Sequence, residues 1–511
     1  MNGDVLSLFV MQYSNRTHLT FCSLFGLERC VRALLLAGAR TEDEDRFGDT
    51  ALLAATILNH SNIVSLLLKF DADVRHRNKF GRTALMEASC QGHGRIVKIL
   101  LDRNAELVDD VDTDQNSSLM LAAVKSSTKK HAEVMKLLLD KGANVNLKNK
   151  YGQTALMLMS FNKVPELTKT VVERVFDVDD TDQDGNSALS WAAKDGNVTM
   201  IEILSESNAN VNIRNAKGKT PLMLSSLHGK EKAAFCLIKC GALVNEENKK
   251  KKTALLCAVK SGSAETVKTL ILNGADVHTQ HKNGVTALML ASELGHQNII
   301  TLLIDYKAWI NGIDDKGHTP LIKAACKGRA QTVQLLLEKG AFLDETCSQG
   351  KSAFMWSLEK GQQSVAQMLL EYGTDCNIAD ITGKTALHIA ASCGAIRFCK
   401  LMLRQTDPTK KDQHGMTPLL YAASKGNLEI CTYLYDNGSE INARNKDGDT
   451  ALTLASMNGH NKVIFFLLSK RIDPNECDNK RVTALMKASK AGHLKTVQLL
   501  VKKNAKRLQT S

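Results

Sequence analysis

The 511-residue chain is poor in aromatic side chains, at 5% of residues, and holds only six prolines. Strands draw on aromatic and β-branched residues and extended linkers on proline, so a β-rich or linker-rich protein is excluded and helices are expected. No window approaches the roughly 20 apolar residues of a membrane-spanning helix. The opening MNGDVLSLFVMQYSNR has a brief apolar run with no basic residue before it, which does not fit a secretory signal. No CxxC pair occurs among the thirteen cysteines; Cys236 and Cys240 have helical spacing, and Cys90 and Cys326 sit in apolar runs. Zinc and dithiol chemistry are therefore unsupported, and reduced core thiols in an intracellular, chiefly cytoplasmic protein are expected, with the nucleus as second choice. Also missing are the glycine-rich phosphate loops and the HExxH and GxSxG signatures. The DTDQDG run at 180–185 begins like a calcium loop, but Trp191 stands where the bidentate Glu is needed; the related run at 110–116 meets Leu121 there. Neither a catalytic residue, nor a metal, nor a cofactor is expected, and the chain is not read as an enzyme.

What the chain has in abundance is self-similarity. TALM recurs at 83, 154, 286 and 483, and aligning on its first residue gives fifteen anchors: Thr17, Thr50, Thr83, Ser117, Thr154, Ser187, Thr220, Thr253, Thr286, Thr319, Ser352, Thr385, Thr417, Thr450 and Thr483. Most are 33 residues apart, the signature of a stacked-repeat protein. Eleven copies carry Gly two residues before the anchor, as a positive-φ turn requires. The anchor hydroxyl then caps a helix, and Pro221, Pro320 and Pro418 follow at the first helical position. A second helix with i, i+3, i+4 apolar spacing (Val97, Leu100, Leu101) ends near a glycine such as Gly142 or Gly274. Neither helix is long enough to stand alone, so stacking must supply the core.

GKTALHIAASCG at 383–394, KGHTPLIKAACKG at 316–328 and LLLDKGANVN at 137–146 resemble ankyrin repeats. The resemblance implies an all-α repeat solenoid of about fifteen units over residues 16–506, each a helix–turn–helix joined by a projecting hairpin finger, with a short segment at 1–15, a tail at 507–511 and a degenerate first repeat. Residues 125–180 are the irregular zone, with an insertion, KSSTKKHAE, and Pro165. The family's His after Leu survives at His388, whereas Met stands there at 86, 120, 157, 223, 289, 355 and 486. Flexible packing would then replace polar linkage in those copies.

The resemblance further implies a protein-binding scaffold or adaptor that meets partners through a concave face and finger tips. Positions that would face a partner are Lys194, Lys260, Lys327, Lys360, Lys425 and Lys490 at the first-helix ends, and Lys249, Lys250, Lys251 and Lys252 on one finger. This stripe supports an alternative, an anionic ligand or nucleic acid, against the reading of these lysines as cations favoured at helix C-termini. Nucleic acid itself is not expected, because stacking aromatics beside the stripe are sparse. Phe47, Phe80 and Tyr151 on the tips, and Trp309 after a second helix, are candidate anchors for a protein partner, against the reading in which the tip aromatics pack along the neighbouring hairpin. Trp191 and Trp356, four residues after their anchors, read as inter-repeat core. Asn146, Asn212, Asn311 and Asn442 read first as turn-satisfying groups; the resemblance adds that such residues are substrates of an asparaginyl hydroxylase. The chain is expected to be a monomer or part of a larger complex.

Overall fold

The computed structural model describes residues 17–125, 128–161 and 164–503. The segments expected at 1–15 and 507–511 lie outside the described residues. Among the described residues thirty α-helices form fifteen pairs, one pair per anchor, and we number the repeats 1 to 15 accordingly. They fall into two compact units that divide between Asp276 and Val277, with repeats 1–8 in the first and 9–15 in the second.

All fifteen anchors are helix N-caps with extended backbone; Thr83, for example, has φ −89° and ψ 168°. In thirteen repeats the hydroxyl accepts the N–H three residues on, from 3.1 Å at Thr17 to 3.4 Å at Thr83. The first helices are short, such as Ala84–Gln91, and almost wholly buried: Ala84, Leu85, Met86 and Ala88 are 0–2% exposed. Within each unit they pack on the first helices of adjacent repeats, while the second helices, such as Gly94–Arg103, form the other layer. Small residues let these two-turn helices approach closely, so each repeat completes the core of the next.

Between repeats the chain makes a finger. A buried Asp or Asn five residues before the anchor organises it: Asn78 Oδ1 accepts the N–H groups of Phe80 and Arg82, both at 3.0 Å. One backbone bond then ties finger to finger, as from Lys79 N–H to Phe47 O at 3.0 Å and from Thr113 N–H to Phe80 O at 3.1 Å. The finger glycine is fixed twice over. Gly317 has φ +71°, and a Cβ there would lie 2.7 Å from Ser348 N. A second ladder uses the ends of the first helices: His60, His93, His460 and His493 each place Nε2 within 3.2 Å of a carbonyl one repeat back.

The irregular zone is visible locally. In repeat 4 the second helix lengthens to Lys129–Asp140, capped by Thr128, and the inserted stretch still delivers His131 to Cys90 O at 3.0 Å. In repeat 5 the first helix covers only Ala155–Leu158 before passing into a 3-10 turn, and the second begins with Pro165. Ser126, Ser127, Asn162 and Lys163 of this zone lie outside the described residues.

Candidate functional site

Fingers and first helices leave hollows between adjacent repeats, and two of them adjoin in the first unit. A hollow of about 210 Å³ is lined by Asn186, Trp191, Lys194 and exposed Asp184 of repeat 6 and by Lys217, Lys219 and His228 of repeat 7. A second, of about 420 Å³, shares Trp191 and Asp184 and runs on to Tyr151 of repeat 5. The two together make a groove across three repeats.

Its floor is built from the finger Asx residues. Asp182 accepts Asn186 N–H at 2.8 Å and Trp191 Nε1–H at 3.0 Å, and Asn215 Nδ2–H bonds Asn186 Oδ1 at 2.9 Å. Asp182, in the run that begins like a calcium loop, is thus engaged by donors of its own repeat. Trp191 and Trp356, expected in the inter-repeat core, are only half-buried. In repeat 6 the fourth position after the anchor lines the groove, and the same position holds the polar Glu87, Lys323, Tyr421 and Lys487 in other repeats; that mixture of polar residues was the available signal. Lys194 Nζ lies 4.2 Å from the Trp191 ring centre.

The cations here differ from those of the second unit. Burial holds the Lys219 ammonium below its usual range, and the charges of Lys217, Lys260 and Lys252 push the same way. Partial burial, then the charges of Lys194, Lys219 and Lys230, hold the His228 imidazole down as well. Lys260 and Lys252 therefore belong to the same positive field. In the finger at 249–252, Lys251 takes the left-handed φ of +55° where most repeats use Gly; Lys249 and Lys250 are exposed. In the second unit, by contrast, Lys327 pairs with Glu293 at 3.2 Å, Lys351 with Glu359 at 2.5 Å and Lys323 with Asp314 at 2.7 Å. Lys360 lies 5.4 Å from the centre of Trp356, and Lys425 and Lys490 are exposed.

The tip aromatics present themselves outward: Phe47 is 37%, Phe80 58% and Tyr151 52% exposed. Two of them carry a cation from their own finger, Arg46 over Phe47 at 4.5 Å and Lys150 over Tyr151 at 5.0 Å. Of the three, Tyr151 borders the groove. Trp309, 58% exposed, stacks on His278 at 4.4 Å after a second helix of the second unit.

The asparagines have a structural task. Oδ1 of Asn146, Asn212 and Asn311 each accepts a backbone N–H of the next hairpin, from Phe176, Leu243 and Phe342, at 2.9 Å. Asp109 and Asp179 serve the same position for Asn144 and Asn210, at 2.8 and 2.9 Å. Asn442 is exposed. Among the cysteines, Cys236, Cys257, Cys347, Cys376, Cys399 and Cys431 are buried, whereas Cys30 and Cys393 are exposed. Burial pushes the Cys431 thiol up to about 12.

Comparison with known proteins agrees with the geometry. A family model described as ankyrin repeats in three copies matches residues 19–110, 156–248, 222–314, 255–347, 309–380, 375–445 and 437–510, and a single-repeat model matches 114–150. The chain is 40% identical over 81 residues to palmitoyltransferase ZDHHC13 of Mus musculus, covering 15% of this chain and 13% of that protein. It is 56% identical over 39 residues to palmitoyltransferase ZDHHC17 of Danio rerio, covering 8% and 6%. To the neurogenic locus notch homolog protein 1 of Xenopus tropicalis it is 37% identical over 73 residues, covering 14% and 3%. The chain thus spans only a small part of each of these relatives.

Proposed function

Because the chain belongs to the ankyrin-repeat family, we propose that it is a non-catalytic scaffold or adaptor, intracellular and chiefly cytoplasmic, that holds protein partners on its finger and first-helix face. The observation that carries this reading is the groove across repeats 5–7, where Tyr151 and Trp191 offer amphipathic rings and Lys194, Lys217 and Lys219 offer charge. Aromatics beside cations form the kind of anchor that dominates protein interfaces. Phe47, Phe80, Trp309 and the lysines of the second unit are secondary contact points in this proposal. The aspartate and asparagine ladder under the fingers keeps the face rigid, which lowers the entropic cost of binding.

A salt-responsive anionic ligand along the lysine stripe is the second reading, favoured by the concentration of Lys219, Lys217, Lys252 and Lys260 in one field. Affinity purification after nuclease treatment, with cross-links from the recovered partners mapped on this chain, separates the two. Cross-links on the fingers and first helices are expected. Cross-links confined to second helices, or partners lost on nuclease treatment, would overturn the protein-binding reading.

A further inference from the structure

The groove has a polarity along its length that specifies more than a generic contact. At the repeat 5 end it is aromatic and mildly polar, lined by Tyr151, Gln153, Gln183 and Trp191. At the repeat 7 end it becomes the 210 Å³ hollow that Lys194, Lys217 and Lys219 all line. No ion pair engages these three lysines. Carboxylates lie close by: Asp184 lines the same hollow, Asp182 is held by the neutral donors of Trp191 and Asn186, and Asp195 accepts the Ser160 hydroxyl, but none of them pairs with these lysines. The same Trp position in repeat 11 shows the alternative outcome, since there Lys351 beside Trp356 is neutralised by Glu359. Three ammonium groups lining one hollow, none of them held in an ion pair, favour a ligand with concentrated negative charge.

Size chooses among anions. The hollow is smaller than the roughly 300 Å³ at which drug-sized ligand pockets begin, so it suits one tetrahedral headgroup better than a whole nucleotide. Ammonium groups act as point charges towards a phosphoryl group, and three of them match a dianion better than a single carboxylate. The adjoining aromatic stretch continues the groove across the stacked fingers, as an extended chain would need.

Resting on the protein-binding reading, we infer that repeats 5–7 recognise a phosphorylated serine or threonine in an extended segment of a protein partner. The phosphoryl group sits among Lys194, Lys217 and Lys219, and a neighbouring apolar side chain lies against Tyr151 and Trp191. His228 on the rim contributes a hydrogen-bond donor through its neutral ring.

The test uses the full chain and an oriented library of phosphoserine and phosphothreonine peptides beside its unphosphorylated twin. Preferential retention of the phosphorylated library is expected, weakened at least about tenfold by Lys194→Ala with Lys219→Ala, as loss of charge-assisted bonds implies. Lys268→Ala with Lys462→Ala, exposed on second helices away from the groove, should leave it unchanged. Equal retention of both libraries would overturn the inference, as would retention indifferent to the first variant, or a preference for single-stranded oligonucleotide or phosphatidylserine vesicles over every peptide. If the peptides fail while protein cross-links on the fingers survive, the phosphoryl inference falls and the protein-binding reading stands. If the cross-links fail as well, both fall. Circular dichroism of the first variant guards against misfolding, and Lys194→Gln with Lys219→Gln serves as a second pair.

Discussion

His388 offers a direct test of what holds neighbouring repeats together. Its ring is 1% exposed. Nε2 lies 3.0 Å from Lys410 O and 3.2 Å from Met416 O, both in the following finger segment, while Nδ1 accepts Thr385 N–H at 3.1 Å. Nε2 therefore carries the proton and donates across the repeat boundary. Replacing it by Met, as seven other repeats do, keeps an apolar filling but removes the cross-repeat bond and the N–H acceptor. With net values near 1 kcal/mol per hydrogen bond, His388→Met should cost about 1–2 kcal/mol, and His388→Ala about 3–4 kcal/mol once the cavity is added. In a stack the loss is local, so hydrogen exchange over residues 383–417 is the assay, with an expected fall in protection of roughly five- to thirtyfold for the Met variant. Burial also holds the His388 imidazole below its usual value near 6.5, against the opposing pull of Asp412. Below that value the unfolded chain binds a proton that the folded chain resists, so the wild-type contribution is complete above about pH 6.5 and is lost as pH falls through the folded-state value. The Met variant should lack this slope. Equal protection in wild type and His388→Met, or a slope that persists in the variant, would refute the reasoning.

Two further perturbations separate backbone from side-chain causes. Gly317 and Gly340 both have positive φ, +71° and +93°, but a Cβ at 317 meets Ser348 N at 2.7 Å whereas one at 340 meets nothing within 4 Å. Gly340→Ala should cost about 1 kcal/mol of backbone strain and Gly317→Ala about 2–4 kcal/mol, because the Ser348 bond between fingers must also give way; equal shifts in urea unfolding would contradict this. Lys487 pairs with Asp478 at 3.0 Å and with Asp449, and all three side chains are at most 13% exposed. Lys487→Met should destabilise repeats 14–15 by about 3 kcal/mol, since it leaves two carboxylates facing each other. Retained hydrogen-exchange protection there would show the pairs to be worth no more than surface contacts.

Fold and site were legible in the sequence to different degrees, for a physical reason. The repeat length, the caps and the finger glycines are local requirements, each met by one or two residue types, and the structure places all fifteen anchors as caps. The register even survives the insertion after Ser117, because His131 returns to the carbonyl position that His93 serves one repeat earlier. What adjoins what across repeats was not legible. Each finger glycine reads as a turn residue from its own neighbours, yet its strictest demand comes from the backbone about 31 residues ahead, as at Gly317 and Ser348. Trp191 reads as core because large apolar residues near a cap normally are, and only alignment of Glu87, Lys323 and Tyr421 on its position exposes that site as the groove wall. Likewise Lys194, Lys327 and Lys360 form one periodic stripe on paper, but the free energy of a lysine is set by its partner. Glu293 cancels Lys327, while Lys219 stands in the field of Lys217, Lys252 and Lys260 without a counter-ion. The proposed groove lies where adjacent repeats leave lysines without ion pairs, and that is a property of pairs which no single copy carries.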